Sequence, residues 1–502
     1  MSCSGAYSKP APRLTGGSGA GAVRADTPPA CFSFLLISGE GPPVAQKTND
    51  FSQGKISSNI LSLALPMTAA QLVNVLYSVV DRIYLGRLPG SSHLALTGLG
   101  VTIPIVSIIM GFANLCGTGG APLCSICRGQ GDDEEAERIM GCSFALLLAL
   151  GAAVTAFFLV FKRPVLYLFG ASADTFPYAD DYMTVYLCGT LFVMISLGMN
   201  PFINSQGFGR VGMLTVVLGA AVNIVLDPIL IFLLDMGVRG AALATVAAQG
   251  LSALWVLRFL TGPRALLRLR RSTLRLDGRR TRRIVSLGLS GFFMNMTNSL
   301  VQVVCNATLQ SYGGDLYVGI MTIINSLREV FFMPVHGLAN GSQPVTGYNY
   351  GAGLYSRVRE CIRFSCGVTV AYAGLFWVIA MAVPGLLVRI FNSEAEVVAA
   401  GIPAVRIYFA LFILMSLQSA GQAVFVGLGR SRQAVFFSLL RKAVINAPLT
   451  VILPIWMGTT GVFAAEAVSQ LAGGLACFLT MYFTVYRPLG ALRDKEQTPQ
   501  RR

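Results

Sequence analysis

The sequence predicts an all-α integral membrane protein of about twelve transmembrane helices, arranged as two six-helix lobes in a parallel internal repeat around a central cavity. Three observations carry this. Of 502 residues, 54% are hydrophobic and 12% charged, against roughly 25% charged in a soluble domain. Apolar runs of about 20 residues, the length that crosses a hydrocarbon core, recur across 60–485. The chain also repeats itself. A shift of 222 lays Gly119, Pro122, Gly129 and Gly131 on Gly341, Pro344, Gly351 and Gly353. A shift of 220 to 221 lays Gly209 and Arg210 on Gly429 and Arg430, Pro228 on Pro448, Gly240 on Gly461 and Gln249 on Gln470.

Residues 1–55 are rich in Gly, Pro, Ala and Ser, and their one apolar run, 31–37, is too short to span, so a disordered cytosolic tail is expected. No cleavable signal pattern opens the chain, which leaves the first helix as the targeting signal. The N-lobe, 56–261, has predicted spans at 58–85, 94–120, 139–161, 180–203, 211–234 and 238–261. The linker 262–283 carries nine arginines interleaved with leucines. Such a segment is either an amphipathic helix lying on the anionic inner leaflet or a solvated tether. The C-lobe, 284–486, has predicted spans at 284–309, 316–341, 361–383, 404–427, 434–456 and 460–485, and 487–502 is a second cytosolic tail.

The formal charge of +15 is not read as a nucleic-acid footprint, because the basic residues cluster in short connections between apolar runs. Sorting those connections alternately puts Arg128, Arg138, Arg210, the linker, Arg357, Arg359, Arg363, Arg430 and Arg432 on one side. That side is the cytosol, and the even number of spans puts both termini there. The eleven cysteines are scattered through apolar segments and read as packing residues. Cys124 and Cys127 form C-x-x-C, but there is no second pair and the chain has only two histidines, so no zinc or redox role is expected. The acidic run 132–137 opens the third helix, where carboxylates complement the helix dipole.

An ionisable group inside a span costs about 2.5–3.5 kcal/mol on insertion scales and asks for a reason. Asp81 shares a helix face with Asn74 and Tyr77, and Asp227 follows Asn223 by one turn. With spans one and five running outward and span six inward, Asp81, Asp227 and Thr245 all fall about 6–10 Å from the outer boundary. Pro228 frees the carbonyl of Ile224, and Pro66 interrupts the first span in the same way. This set of hard oxygen donors suits Na⁺, or a proton on an aspartate. At the matching repeat positions stand Cys305 and Ala447, so the acids are not demanded by the scaffold. Arg328, Glu329, Met67, Phe331 and Phe332 are candidates for lining a central cavity, although helix packing explains the apolar ones equally simply. Glu466 is open to either role.

With these residues in hand, the chain resembles the multidrug and toxic compound extrusion (MATE) transporters, and most closely their bacterial DNA-damage-inducible branch. The matching residues include Pro66, Val80-Asp81-Arg82 with Gly86, Asn223-x-x-x-Asp227-Pro228, Gly237-x-x-Gly240, and Gly341-x-Gln343-Pro344 leading to Tyr348-Asn349-Tyr350-Gly351-Ala352. The resemblance spans about 56–486 and implies export of organic, often cationic compounds in exchange for Na⁺ or H⁺. It assigns the ion to Asp81, Asn223, Asp227 and Thr245, with Asn200 as a further polar position and Pro66 as a bending point. It also implies a mechanism confined to the first lobe, a monomer in the bacterial plasma membrane, small organic substrates and lipid as partners, and no cofactor beyond the coupling ion. The rival is a flippase for lipid-linked saccharides of the same wider superfamily, which needs a strongly cationic cavity. An enzyme or receptor is disfavoured, because no nucleophile or metal cluster gathers at one depth and no extramembrane domain is present to signal through.

Overall fold

The computed structural model describes residues 50–85 and 92–494. The predicted tails over 1–49 and from 495 lie outside the described residues, as does Gly86. Twelve helical spans follow one another, with no strand among the described residues. In the N-lobe they are α1 (Ile56–Leu85), α2 (Ser92–Gly129), α3 (Asp133–Leu168), α4 (Phe176–Cys188 with Thr190–Ser205), α5 (Gly209–Pro228 with a wide turn at Ile229–Leu233) and α6 (Gly237–Thr261). In the C-lobe, α7 (278–313) and α8 (315–351) form one continuous run broken at Gly314, whose φ of 63° leaves the helical region. Then come α9 (Tyr355–Ala382), α10 (Ala395–Phe409 with Phe412–Gly427), α11 (Ser431–Met457) and α12 (Thr459–Leu489).

The repeat is visible in the irregularities as well as the spans. The fourth helix of each lobe is broken, α4 bending by 58° at Gly189 and α10 by 42° at Ala410 and Leu411. The second helix of each lobe runs about ten residues past its apolar window, α2 to Gly129 and α8 to Gly351. Hydropathy registers only the part of a helix immersed in lipid, whereas the helix itself ends where the backbone is capped. Both ends share one motif. Gly131 (φ 80°) and Gly353 (φ 76°) turn left-handed, and the N–H groups of Asp132 and Leu354 reach back to the carbonyls of Cys127 and Asn349. This is the Schellman closure that only a residue without a Cβ adopts cheaply.

Side chains follow the solvent they meet. Leu168, Leu233 and Trp456 stand 75–79% exposed on the outer surface, as they would against lipid. Inside, the C-lobe core is built from aromatics, Phe331 packing on Phe376, Phe409 and Phe412. The lobes meet through backbone-to-backbone crossings. A Cβ on Gly129 would overlap the carbonyl of Tyr348, and one on Gly351 would overlap the carbonyl of Ile126. Gly119 against Ile284 and Gly341 against Ala64 make similar close crossings about three turns earlier on the same two helices.

Two boundaries differ from the sequence expectation. The tail predicted to reach residue 55 is fixed from at least residue 50. Phe51 is buried edge-on against Tyr348, and Arg357 donates to the carbonyls of Phe51, Gln53 and Gly54 at 3.0–3.2 Å. The linker is not an amphipathic surface helix. Before α7 begins at Gly278 its one helical turn is Arg271–Thr273, and its backbone is held against the N-lobe. The N–H of Leu267 donates to Gln206 at 2.8 Å and that of Arg268 to Glu137 at 2.9 Å. Arg280 makes a two-pronged pair with Glu135 at 2.7 and 3.0 Å, and Arg270 meets Glu137 at 3.3 Å. The run 132–137 therefore does two jobs, since Asp132 also accepts from the N–H of Glu135 as the α3 cap. At the start of α7, Asp277 accepts from the N–H of Arg279, which holds its carboxyl below the usual carboxylate range.

Adding one methyl group at a crossing should be felt. Gly351→Ala is expected to destabilise the protein by about 1–3 kcal/mol, read as a lower unfolding midpoint in detergent. Gly367→Ala, where a Cβ meets nothing within 4 Å, should be neutral or mildly stabilising. Equal effects of the two substitutions would show that the crossings are not tight.

Candidate cation-binding site

Asp227 sits at the end of the regular part of α5, fully buried, just before Pro228 and the wide turn. Proline lacks the N–H that would close the preceding turn, so the helix loosens there. Asn223, also buried, lies one turn earlier and its Nδ2 donates to Asp227 Oδ1 at 3.2 Å. This leaves Oδ2 of Asp227 and Oδ1 of Asn223 buried with no hydrogen-bond partner among the described residues. Acceptor oxygens without donors in a dry place require a proton or a cation. Asp81, half-buried on α1, lies within electrostatic reach of Asp227 and of Tyr182. Thr245 on α6 shares a hydrogen bond with Tyr182.

The structure thus brings Asp81, Asn223, Asp227 and Thr245 to one region and adds two residues that sequence reasoning missed. Tyr182 and Tyr186 on the first half of α4 stack with ring centroids 5.8 Å apart, and Tyr186 lies near Tyr77. Their one-turn spacing beside the acidic pair Asp180 and Asp181 was the available signal. Those two acids are held at the rim, Asp180 by Lys162 at 2.8 Å and Asp181 by Arg239 at 2.7 Å.

A cavity of about 260 Å³ opens beneath the cluster. Asn223, Thr245, Tyr77 and Asn74 form its wall on one side, and Asn340, Gln343 and Pro344 of the C-lobe close the other. Met67 lines it too. No arginine, lysine or carboxylate is among its lining residues. Asn200 lines the cavity but is not brought to the acids. Its Nδ2 donates to the carbonyl of Gly212 at 3.2 Å, eleven residues before Asn223, or about 16 Å along α5.

The other candidate cavity residues lie elsewhere. Phe331 belongs to the aromatic C-lobe core, Phe332 stands edge-on to His336 with centroids 4.4 Å apart, and Glu329 is exposed. Arg328 and Glu466 line a separate, smaller pocket within the C-lobe. Arg328 is not the one basic residue set inside a C-lobe span. Arg441 and Lys442, 9% and 3% exposed, are buried midway through α11, where Leu440–Asn446 widens. Arg441 donates to Glu466 at 3.0 Å, Lys442 Nζ to both of its oxygens at 3.2 Å, and Asn446 bonds the same carboxylate. Both fall inside the predicted span 434–456, and hydropathy does not report the widened turn from which they reach Glu466.

Two lobes of six helices, a polar-walled cavity between them and buried acceptor oxygens on one side define an integral membrane transporter rather than an enzyme. The MatE family profile matches residues 66–229 and 291–452, one segment in each lobe, and the chain belongs to the MatE family. It is 25% identical over 441 residues to the multidrug export protein MepA of Staphylococcus haemolyticus, covering 87% of this chain and 94% of that one. With the MepA of Staphylococcus aureus it shares 24% over 438 residues, covering 86% and 95%. Among solved structures, an outward-facing multidrug resistance MATE family transporter superposes with a TM-score of 0.82 at 22% identity, over 89% of this chain and 99% of that one. A transporter from Pyrococcus furiosus, described as having a binding pocket of reversed polarity, superposes equally well, at 0.82 and 23% identity over 88% and 99%.

Removing the amide that orients Asp227 tests the cluster. If Na⁺ is the ion held there, Asn223→Ala should weaken Na⁺-dependent stabilisation about tenfold or more, the worth of a hydrogen bond to a charged group. The measurement is the Na⁺ concentration that half-saturates the rise in unfolding midpoint, and an unchanged value would remove Asn223 from the site.

Proposed function

We propose that this protein is a secondary active multidrug efflux antiporter, exporting organic, often cationic compounds in exchange for Na⁺ or H⁺. The observation that carries the proposal is that Asn223, which bonds Asp227, and Thr245, which bonds Tyr182 beside Asp81, also line the cavity wall. A cation taken up between Asp81 and Asp227 neutralises like charges and draws α1, α5 and α6 together. That movement reshapes the wall a substrate would lean on, so ion and substrate compete for one lobe. The cavity's amide and hydroxyl oxygens, with Met67 and Met213, offer a cationic, partly apolar compound weak contacts of many kinds. The relatives named multidrug export proteins support the same substrate class.

The lipid-linked saccharide flippase requires a cationic cavity, and the lining residues carry no basic side chain. The proposed setting is the bacterial plasma membrane, with both termini cytosolic and the monomer as the working unit. The arginine-rich linker fits the cytosolic assignment through its charge.

Cells lacking their own drug pumps, loaded with ethidium, provide the test. Expression of the protein should accelerate efflux, and Asp227→Asn should return it to the level of cells without the protein while leaving the membrane content of the chain unchanged. Loss of efflux when the Na⁺ gradient is collapsed at constant pH identifies Na⁺ as the coupling ion; persistence identifies H⁺. Full efflux by Asp227→Asn would refute the site.

A further inference from the structure

The two lobes are built on one plan, and the C-lobe pocket stands where the oxygen cluster stands in the N-lobe. Glu466 occupies the repeat position of Thr245, 221 residues on, by the same shift that relates Gly240 to Gly461. Cys305 takes the position of Asp81, and Asn446 with Ala447 that of Asp227 before its proline. The polarity is inverted. Arg328, Arg441 and Lys442 face a single buried carboxylate, Glu466. The nearest further acid, Glu329, lies on the exposed side of α8. A buried excess of positive charge is costly inside a membrane unless an anion balances it.

The hydrogen-bonding account is also unbalanced. Lys442, Arg441 and Asn446 all spend donors on Glu466. The half-buried Arg328 guanidinium makes no hydrogen bond or ion pair with any described residue, and Nδ2 of Asn325, one turn before it, is buried without an acceptor. Both residues line the pocket, with Lys442 and Tyr408 across from them. The space is about 20 Å³, enough for one water-sized occupant and too small for a polyatomic group, since one such sphere takes about 10–15 Å³.

We propose that this C-lobe pocket binds a single halide ion, chloride under ordinary conditions, held by the Arg328 guanidinium, the Asn325 amide and the Lys442 ammonium. The Asn325 amide is a buried donor without an acceptor and the Arg328 guanidinium beside it faces the pocket, while Lys442, bonded to Glu466, adds positive charge; the volume admits one monatomic ion. A neutral water would fill the space but leave the charge uncompensated. Glu466 on the same wall limits the affinity and sets the side of the pocket the ion avoids. The site does not depend on the coupling ion, because it lies in the opposite lobe.

The test uses the purified full-length protein in detergent, with Na⁺ held constant while chloride is exchanged for gluconate. Chloride should raise the unfolding midpoint in a saturable way, by about 2 °C or more, and bromide should do the same. The rise should vanish in Arg328→Gln and survive in Asp227→Asn. Crystals grown in bromide should give one anomalous peak between Arg328 and Lys442 in the unaltered protein, so the result does not depend on a variant folding. Equal midpoints in chloride and gluconate, an undiminished rise in Arg328→Gln, or no anomalous peak in the pocket would each overturn the proposal.

Discussion

The architecture depends on backbone crossings in which glycine lets one helix lie directly on another. Gly129 rests on the carbonyl of Tyr348 and Gly351 on that of Ile126, so each lobe offers the other the same pair of residues. This is the relation a two-fold axis imposes on a symmetric dimer, here within one chain. In lipid there is no hydrophobic gain in bringing helices together, and close approach through small residues supplies the attraction instead. The contact is also the reason the second helix of each lobe runs beyond its apolar stretch. It must reach the crossing before Gly131 or Gly353 turns the chain away.

Upon this common framework the lobes have diverged in charge. Around Asp227 the N-lobe leaves acceptor oxygens without donors, and around Arg328 the C-lobe sets three cations against one buried carboxylate. The divergence resides in a few side chains: Asp81 against Cys305, Thr245 against Glu466, and Asn223 against the Lys442 region. The proline that ends the regular part of the helix is kept in both, at Pro228 and Pro448. The local loosening is thus a property of the fold, and the chemistry it exposes belongs to each lobe separately.

Much of this was legible in the sequence because bilayer thickness and repeat spacing are one-dimensional signals. The twelve spans, the two lobes and the convergence of Asp81, Asn223, Asp227 and Thr245 follow from apolar runs, glycine offsets and counting residues from a boundary. What was not legible depends on which distant neighbours each side chain meets. Phe331 and Arg328 are three residues apart on α8 yet serve an aromatic core and a polar pocket. Arg441 and Lys442 are turned inward by a widened turn that no hydropathy window registers. The linker arginines pair with Glu135 and Glu137 because chain segments more than a hundred residues apart meet, which composition alone cannot disclose.

The strap before α1 has a mechanical consequence. Phe51 and the three carbonyls held by Arg357 fasten the start of α1 to the C-lobe, and Ile56, Ile60 and Leu63 pack among C-lobe residues Leu338 and Val345. The far end of the same helix carries Asp81 toward Asp227 in the N-lobe. One rod is therefore clamped at its two ends to different bodies, with Pro66 between the clamps. Were the two bodies to part, the rod could not follow both, and it would bend where Pro66 has already removed a hydrogen bond. A helix clamped in this way would act as a crankshaft, turning separation of the lobes at one face into displacement of a carboxylate at the other.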